Sequence, residues 1–175
     1  MERVYIPRAR ILMLARSNYL LSELEKITNC KIKLDLNEHF VEISGSDAYS
    51  EYLSKDVISA FGRGFGLKKA GKLLIDDYYI KIIDLKDWTR NKARIKRIKS
   101  RIIGTSGRAK ERIEQDSSAD ISVYGGTIGI IGNLEQIREA ETALLTIIKG
   151  GSHRLAYKRL ESVHRNHKSS DESLK

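Results

Sequence analysis

The stretch "SRIIGTSGRAKERI", Ser100 to Ile113, interrupts a helical pattern with a Gly-Thr-Ser-Gly loop and resumes it with cations. The second helix begins near Gly107, so its first backbone N–H groups and the positive end of its dipole face the loop. Arg108 and Lys110 stand in that first turn, where cations cost about 0.3–1 kcal/mol each without a counter-charge. A sequence shaped only for helix stability would place Asp or Glu there. A phosphate at the loop reverses the sign of the interaction, and glycines lacking Cβ let a sugar-phosphate backbone approach closely. Lys99 and Arg101, near the end of the preceding helix, suit their own helix dipole and border the same track.

Charge elsewhere in the chain supports this focus. The 175 residues carry a formal charge of +9 with a pI near 9.6. Between Arg90 and Arg112 there are ten Lys or Arg, including Arg94 and Arg97, against the single acid Glu111, so the remaining residues sum to zero. The basicity is therefore local and points to an anionic partner: nucleic acid, an acidic membrane surface or an acidic protein. A hydrophobic fraction of 41% at this length suits two small domains. Cys30 is the only cysteine, which excludes a disulfide framework and a cysteine-based zinc site. His164 and His167 are a close pair in a polar tail, and two ligands without a third make no metal site. "MERVYIPRAR" has no apolar signal region and no run approaches the ~18 apolar residues of a membrane span, so the expectation is a soluble, cytoplasmic protein with no membrane partner.

Two segments share one order of elements. In the second, "YYIKIIDL" reads as a strand, and Ile95, Ile98 and Ile102 mark one helix face. The glycine loop and a short helix follow. "DISVY" alternates, Gly125-Gly126 turns a hairpin, "TIGIIG" returns, and Leu134 to Ile148 form a long amphipathic helix. The first half repeats strand, helix, helix, strand, strand, helix with "RVYI", a helix from about Pro7, "YLLSELEKI", "KIKLDL", "HFVEISG" and a helix from Asp47. Its inter-helix loop is "ARSN", Ala15 to Asn18, with no glycine. The expected boundaries are 1–62 for the first domain, 63–75 for a linker with a short helix, 76–150 for the second domain, 151–161 for a further helix and 162–175 for a disordered tail.

Other motifs are weaker. Two more G-x-x-G spacings, from Gly126 and from Gly129, lie inside a strand with apolar residues between, where glycine serves close packing. "GLKKAGKL" misses the phosphate-binding loop because Leu73 stands where a hydroxyl would meet magnesium. The acids Asp76, Asp77, Asp84 and Asp87 read as solvated strand ends, and Trp88 as partial core, with stacking on a base as the lesser alternative. No constellation suggests catalysis or a cofactor.

Strand, helix, "IIGTSG", helix, strand, hairpin, strand, long helix resembles a eukaryotic-type (type I) KH domain. The resemblance implies an α+β fold of two tandem KH domains in βααββα order, each a three-stranded sheet on three helices, the first lacking the G-x-x-G loop. It implies single-stranded RNA or DNA clamped over about four nucleotides by the loop. The implied contacts are Ile103, Gly104, Thr105, Ser106 and Gly107 with the basic residues Arg94, Arg97, Lys99, Arg101, Arg108 and Lys110, and Ile121 and Val123 beneath the bases. Phe61 to Phe65 ("FGRGF"), "DLKD", "RIKSRIIG", "ADISVYG" and "GGSHRLAYKRLE" extend the likeness to archaeal members of the partner-of-NOB family of small-subunit ribosome-assembly proteins. That likeness implies a non-enzymatic factor of rRNA maturation whose partners are the 3′ region of small-subunit rRNA, the NOB endonuclease and pre-ribosomal particles. A protein scaffold whose basic face meets an acidic partner is the alternative.

Overall fold

The computed structural model describes residues 1–172, which divide into two compact units, the first Met1–Ile80 and the second starting at Lys81. In the first, β1 (Glu2–Tyr5), α1 (Arg8–Arg16), α2 (Asn18–Thr28), β2 (Lys31–Asp35), β3 (Phe40–Ser44) and α3 (Ala48–Gly62) precede a short α4 (Leu67–Ala70). The sheet is antiparallel in the order β1-β3-β2. Alternation buries Val41 and Ile43 of β3 on one face, against Ile11 and Leu14 of α1, Leu24 of α2 and Val57 and Ile58 of α3. Cys30 is buried with its sulfur 3.2 Å from Ser54 Oγ.

From Tyr79 the chain repeats the plan, the division between the units falling within the first strand: β4 (Tyr79–Asp84), α5 (Lys92–Ile103), α6 (Arg108–Ser117), β5 (Asp120–Tyr124), β6 (Thr127–Gly132), α7 (Leu134–Ile148) and then α8 (His153–Glu172). Strand order is β4-β6-β5, and Tyr124 pairs Thr127 across the two-residue turn, where Gly125 has φ +57°. Ile98 and Ile102 of α5, Ile113 of α6, Ile121 of β5, Ile128 and Ile130 of β6 and Leu144 and Ile147 of α7 form one core. Each such side chain contributes about 1.5–3 kcal/mol by leaving water. Asn133 and Gln136 cap α7 reciprocally, side chain to backbone N–H in both directions.

Two expected boundaries are corrected. The stretch 63–75, expected as a linker with a short helix, contains that helix but packs as part of the first unit: Phe65, Ala70 and Leu73 are buried, and the Arg10 guanidinium donates to the carbonyls of Phe61 and Phe65 at 2.8 and 2.9 Å. Four basic residues in this stretch, Arg63, Lys68, Lys69 and Lys72, conceal in the sequence that its apolar positions face a core. The expected disorder from residue 162 gives way to helix as far as Glu172; residues 173–175 of that tail lie outside the described residues. The reason lies in α7. Ala156 and Leu160 are buried on α8, and His164 and His167 continue the same stripe to the Glu139 carboxylate, with Nδ1 atoms 3.0 and 3.3 Å from Oε1. Glu139 is only 4% exposed, and a carboxylate so enclosed requires polar partners. Among the described residues no group of side chains is arranged to hold a metal ion, and no helix is long and apolar enough to cross a membrane.

Candidate nucleic-acid interface

The loop between α5 and α6 is built from backbone constraint. Gly104 has φ +74°, and a Cβ there would lie 2.6 Å from Ala109 Cβ and 2.9 Å from Ala109 N, so both conformation and space require glycine. Gly107, φ +77°, stands at the N-cap of α6 with open space around it and no side-chain cap. Ser106 between them also adopts the left-handed conformation, φ 53°. The Gly107 N–H donates to Gly104 O at 3.2 Å, closing a tight turn that leaves Thr105 and Ser106 exposed at its tip. The first acid after it is Glu111.

Helix periodicity sorts the cations of α5 into two stripes. Residues three and four apart share a face. Ile95, Ile98 and Ile102 turn toward the core; Lys92, Lys96, Lys99 and Ile103 form the stripe on one side, and Arg94, Arg97 and Arg101 the stripe on the other. The lysine stripe leads to the loop, where Ile103 remains 36% exposed as an apolar step beside Gly104. Lys92, Arg94, Lys96, Arg97, Lys99 and Arg108 make no hydrogen bond or ion pair with the described residues through their side chains. Lys110 is paired with Glu114 at 3.1 Å, and the other oxygen of Glu114 accepts from the Ile121 N–H at 2.8 Å, which ties α6 to β5.

Three sequence-level assignments change. Arg101 donates to the carbonyls of Ile147 and Gly151 at 3.2 and 2.5 Å, so its guanidinium fastens the α7–α8 connection instead of bordering the loop. Arg94 and Arg97 share its stripe, away from Lys99 and Ile103. Ile121 is 2% exposed within the core and Val123 packs partly against it, so Ile121 supports the β5 wall from beneath and offers no surface to a base. Alternation alone could not tell which side of "DISVY" faces the helices. Trp88, expected as partial core, is 40% exposed, with Lys149 Nζ 5.6 Å from its ring centroid.

A family profile described as a eukaryotic-type KH domain (KH-domain type I), that of the second KH domain of PNO1, matches residues 79–165. A KH domain-containing protein of Methanocaldococcus jannaschii is 33% identical over 165 residues, which cover 91% of this chain and 72% of that one. The chain belongs to the PNO1 family of KH-domain proteins. A pre-rRNA-processing protein PNO1 from Chaetomium thermophilum is 28% identical over 78% of this chain, which spans 56% of that longer protein. The crystal structure of Dim2p from Pyrococcus horikoshii superposes with a TM-score of 0.83 at 37% identity, covering 92% of this chain and 98% of its own. A second Pyrococcus horikoshii structure, of a complex of a/eIF2alpha, aDim2p and rRNA, gives a TM-score of 0.86 at 36% identity and 94% coverage of each chain. The PNO1 relatives are thus pre-rRNA-processing proteins by name, and one of the similar structures is a complex containing rRNA.

Proposed function

We propose that this PNO1-family protein is a non-catalytic, single-stranded RNA-binding factor of cytoplasmic pre-rRNA maturation, holding its RNA at the Gly104–Gly107 loop. The carrying observation is the α6 N-terminus, which has no side-chain cap and is flanked by unpaired cations on a loop whose backbone can be approached closely. The loop amides and dipole receive one phosphate; Lys99, Lys96 and Lys92 continue the electrostatic track along α5, and Arg108 and Lys110 border it on α6. Ile103 gives apolar contact to a sugar or base. Base reading then comes from shape and backbone groups along β5 more than from aromatic stacking. The first unit is a divergent KH fold that does not clamp phosphate. The names of the relatives support pre-rRNA as the RNA class, and the family likeness favours the 3′ region of small-subunit rRNA, with the NOB endonuclease and pre-ribosomal particles as partners.

The loop tip gives the cleanest test, because Gly104 cannot be changed without disturbing Ala109. Thr105→Asp with Ser106→Asp places two carboxylates beside the phosphate at exposed positions, and Asp tolerates the left-handed conformation of Ser106. The double variant keeps the wild-type melting temperature and binds a short single strand about 100-fold more weakly. Wild-type binding has a log–log salt slope of roughly −3, from about four phosphates. Unchanged affinity in the folded double variant refutes the clamp. Crosslinking in cells that recovers messenger RNA in place of rRNA refutes the assignment to rRNA maturation.

A further inference from the structure

The arginine stripe of α5 is not used by the loop site. Arg94 and Arg97 are exposed, carry no partner among the described residues, and follow one another at helical spacing on the flank away from Lys99 and Ile103. Their neighbour on that stripe, Arg101, is fixed to the carbonyls of Ile147 and Gly151. The same end of α7 meets Trp88, through Lys149. Arg94 and Arg97 therefore share the flank that Arg101 turns to the end of α7, the end that Trp88 meets through Lys149, and among the described residues no acidic side chain is paired to Trp88, Arg94, Arg97 or Lys149. Trp88 is the only tryptophan of the chain, and its indole is left 40% exposed although a residue of that size normally finds cover.

We propose that this Trp88–Arg94–Arg97 flank is a second contact for the same RNA strand, in which a nucleobase beyond the clamped segment stacks on Trp88 and its phosphates lie against Arg94 and Arg97. The proposal rests on the loop reading above. Arginine suits the task because its planar fork pairs with phosphate through two parallel hydrogen bonds, whereas lysine acts as a point charge. An indole offers every base the same π-face, so the contact is tolerant of sequence. Continuity argues for RNA over an acidic protein: one helix, about 10–12 Å across with its side chains, carries both stripes, so a strand held at its C-terminal loop has its flanking nucleotides within reach of the other side.

The sole tryptophan makes the test direct. Two single strands are compared, one of about five nucleotides that fills only the loop site and one of about twelve. With wild-type protein, the long strand quenches Trp88 emission and the short strand does not. Arg94→Gln with Arg97→Gln binds the short strand as wild type does, binds the long strand about tenfold more weakly, and shows a salt slope shallower by about 1.4 with the long strand. Rescue by Arg94→Lys with Arg97→Lys is partial, since charge returns without the fork. If the long strand binds with wild-type emission, or if the Gln variant matches wild type on both strands, the second contact is wrong; quenching by an acidic peptide in place of RNA overturns it in favour of a protein site. The Thr105→Asp, Ser106→Asp variant separates the two readings. Its loss of short-strand binding upholds the loop whatever the arginine flank does.

Discussion

The two helix–loop–helix segments of this chain have the same supports and opposite ends. In the first unit Glu25 Oε1 accepts from the Ile32 N–H at 2.9 Å; in the second Glu114 Oε1 accepts from the Ile121 N–H at 2.8 Å. Thr28 Oγ1 donates to Leu24 O, and Ser117 Oγ donates to Ile113 O. Asn29 and Ser118 both leave their helices in the left-handed conformation. All these pairs are separated by one constant distance in sequence, and the same spacing sets Ala15-Arg16-Ser17-Asn18 against Gly104-Thr105-Ser106-Gly107. There the copies part. Ser17 is extended and its Oγ accepts from the Leu20 N–H at 3.3 Å, capping α2 from within, whereas Gly107 caps α6 with nothing. One fold is thus kept while its second helix is either capped by a hydroxyl or left without a side-chain cap.

The two segments differ most at Gly104. Gly104→Ala combines a left-handed alanine with a Cβ against Ala109 and lowers stability by about 3 kcal/mol, whereas Gly107→Ala, with free space around it, costs about 1–2 kcal/mol. Denaturant unfolding of the two variants checks the ordering, and equal losses would show that the Ala109 contact is unimportant. Next in size is the cap. Ser17→Ala removes a side-chain acceptor and costs about 1 kcal/mol with RNA affinity unchanged, while Ser106→Ala, at a residue that caps nothing, stays within about 0.5 kcal/mol. The smallest effect concerns α3 and α7. Asp47 caps α3 by accepting from the Ser50 N–H and hydroxyl, and these bonds hold its carboxyl below the usual aspartate value, whereas α7 is capped by Asn133. A carboxyl lowered in the folded state stabilises above its unfolded pKa and loses that contribution as pH falls through the folded one. Hydrogen exchange below about pH 4 therefore rises at the start of α3 before that of α7, and Asp47→Asn removes the difference.

Much of this was legible in the sequence because it rests on short-range rules. The Ile95-Ile98-Ile102 stripe, the hairpin at Gly125-Gly126 and the glycine loop each declare themselves within a few residues. What escaped depends on partners far along the chain. Arg101 looked like one more cation of a basic helix until Ile147 and Gly151 turned their carbonyls to it, and His164 and His167 looked like tail residues until Glu139, 25 and 28 residues upstream, met them. The division of α5 into a lysine and an arginine flank is present in the spacing, but only Arg101, held to the carbonyls of Ile147 and Gly151, fixes which way the arginine flank faces.

The contact of Gly104 with Ala109 has a consequence for recognising such loops. Because the missing Cβ of one residue is the room taken by the methyl of the other, the two positions form a single steric unit, and the informative pattern is G-x-x-G-x-A in place of G-x-x-G. In this chain the longer pattern keeps only one of three matches: the fifth residue after Gly126 is Ile131 and after Gly129 is Leu134, both too large to fit beneath a folded-back glycine. A small residue in the second position of the following helix thus separates this tight turn from the glycine-rich strand of the same chain.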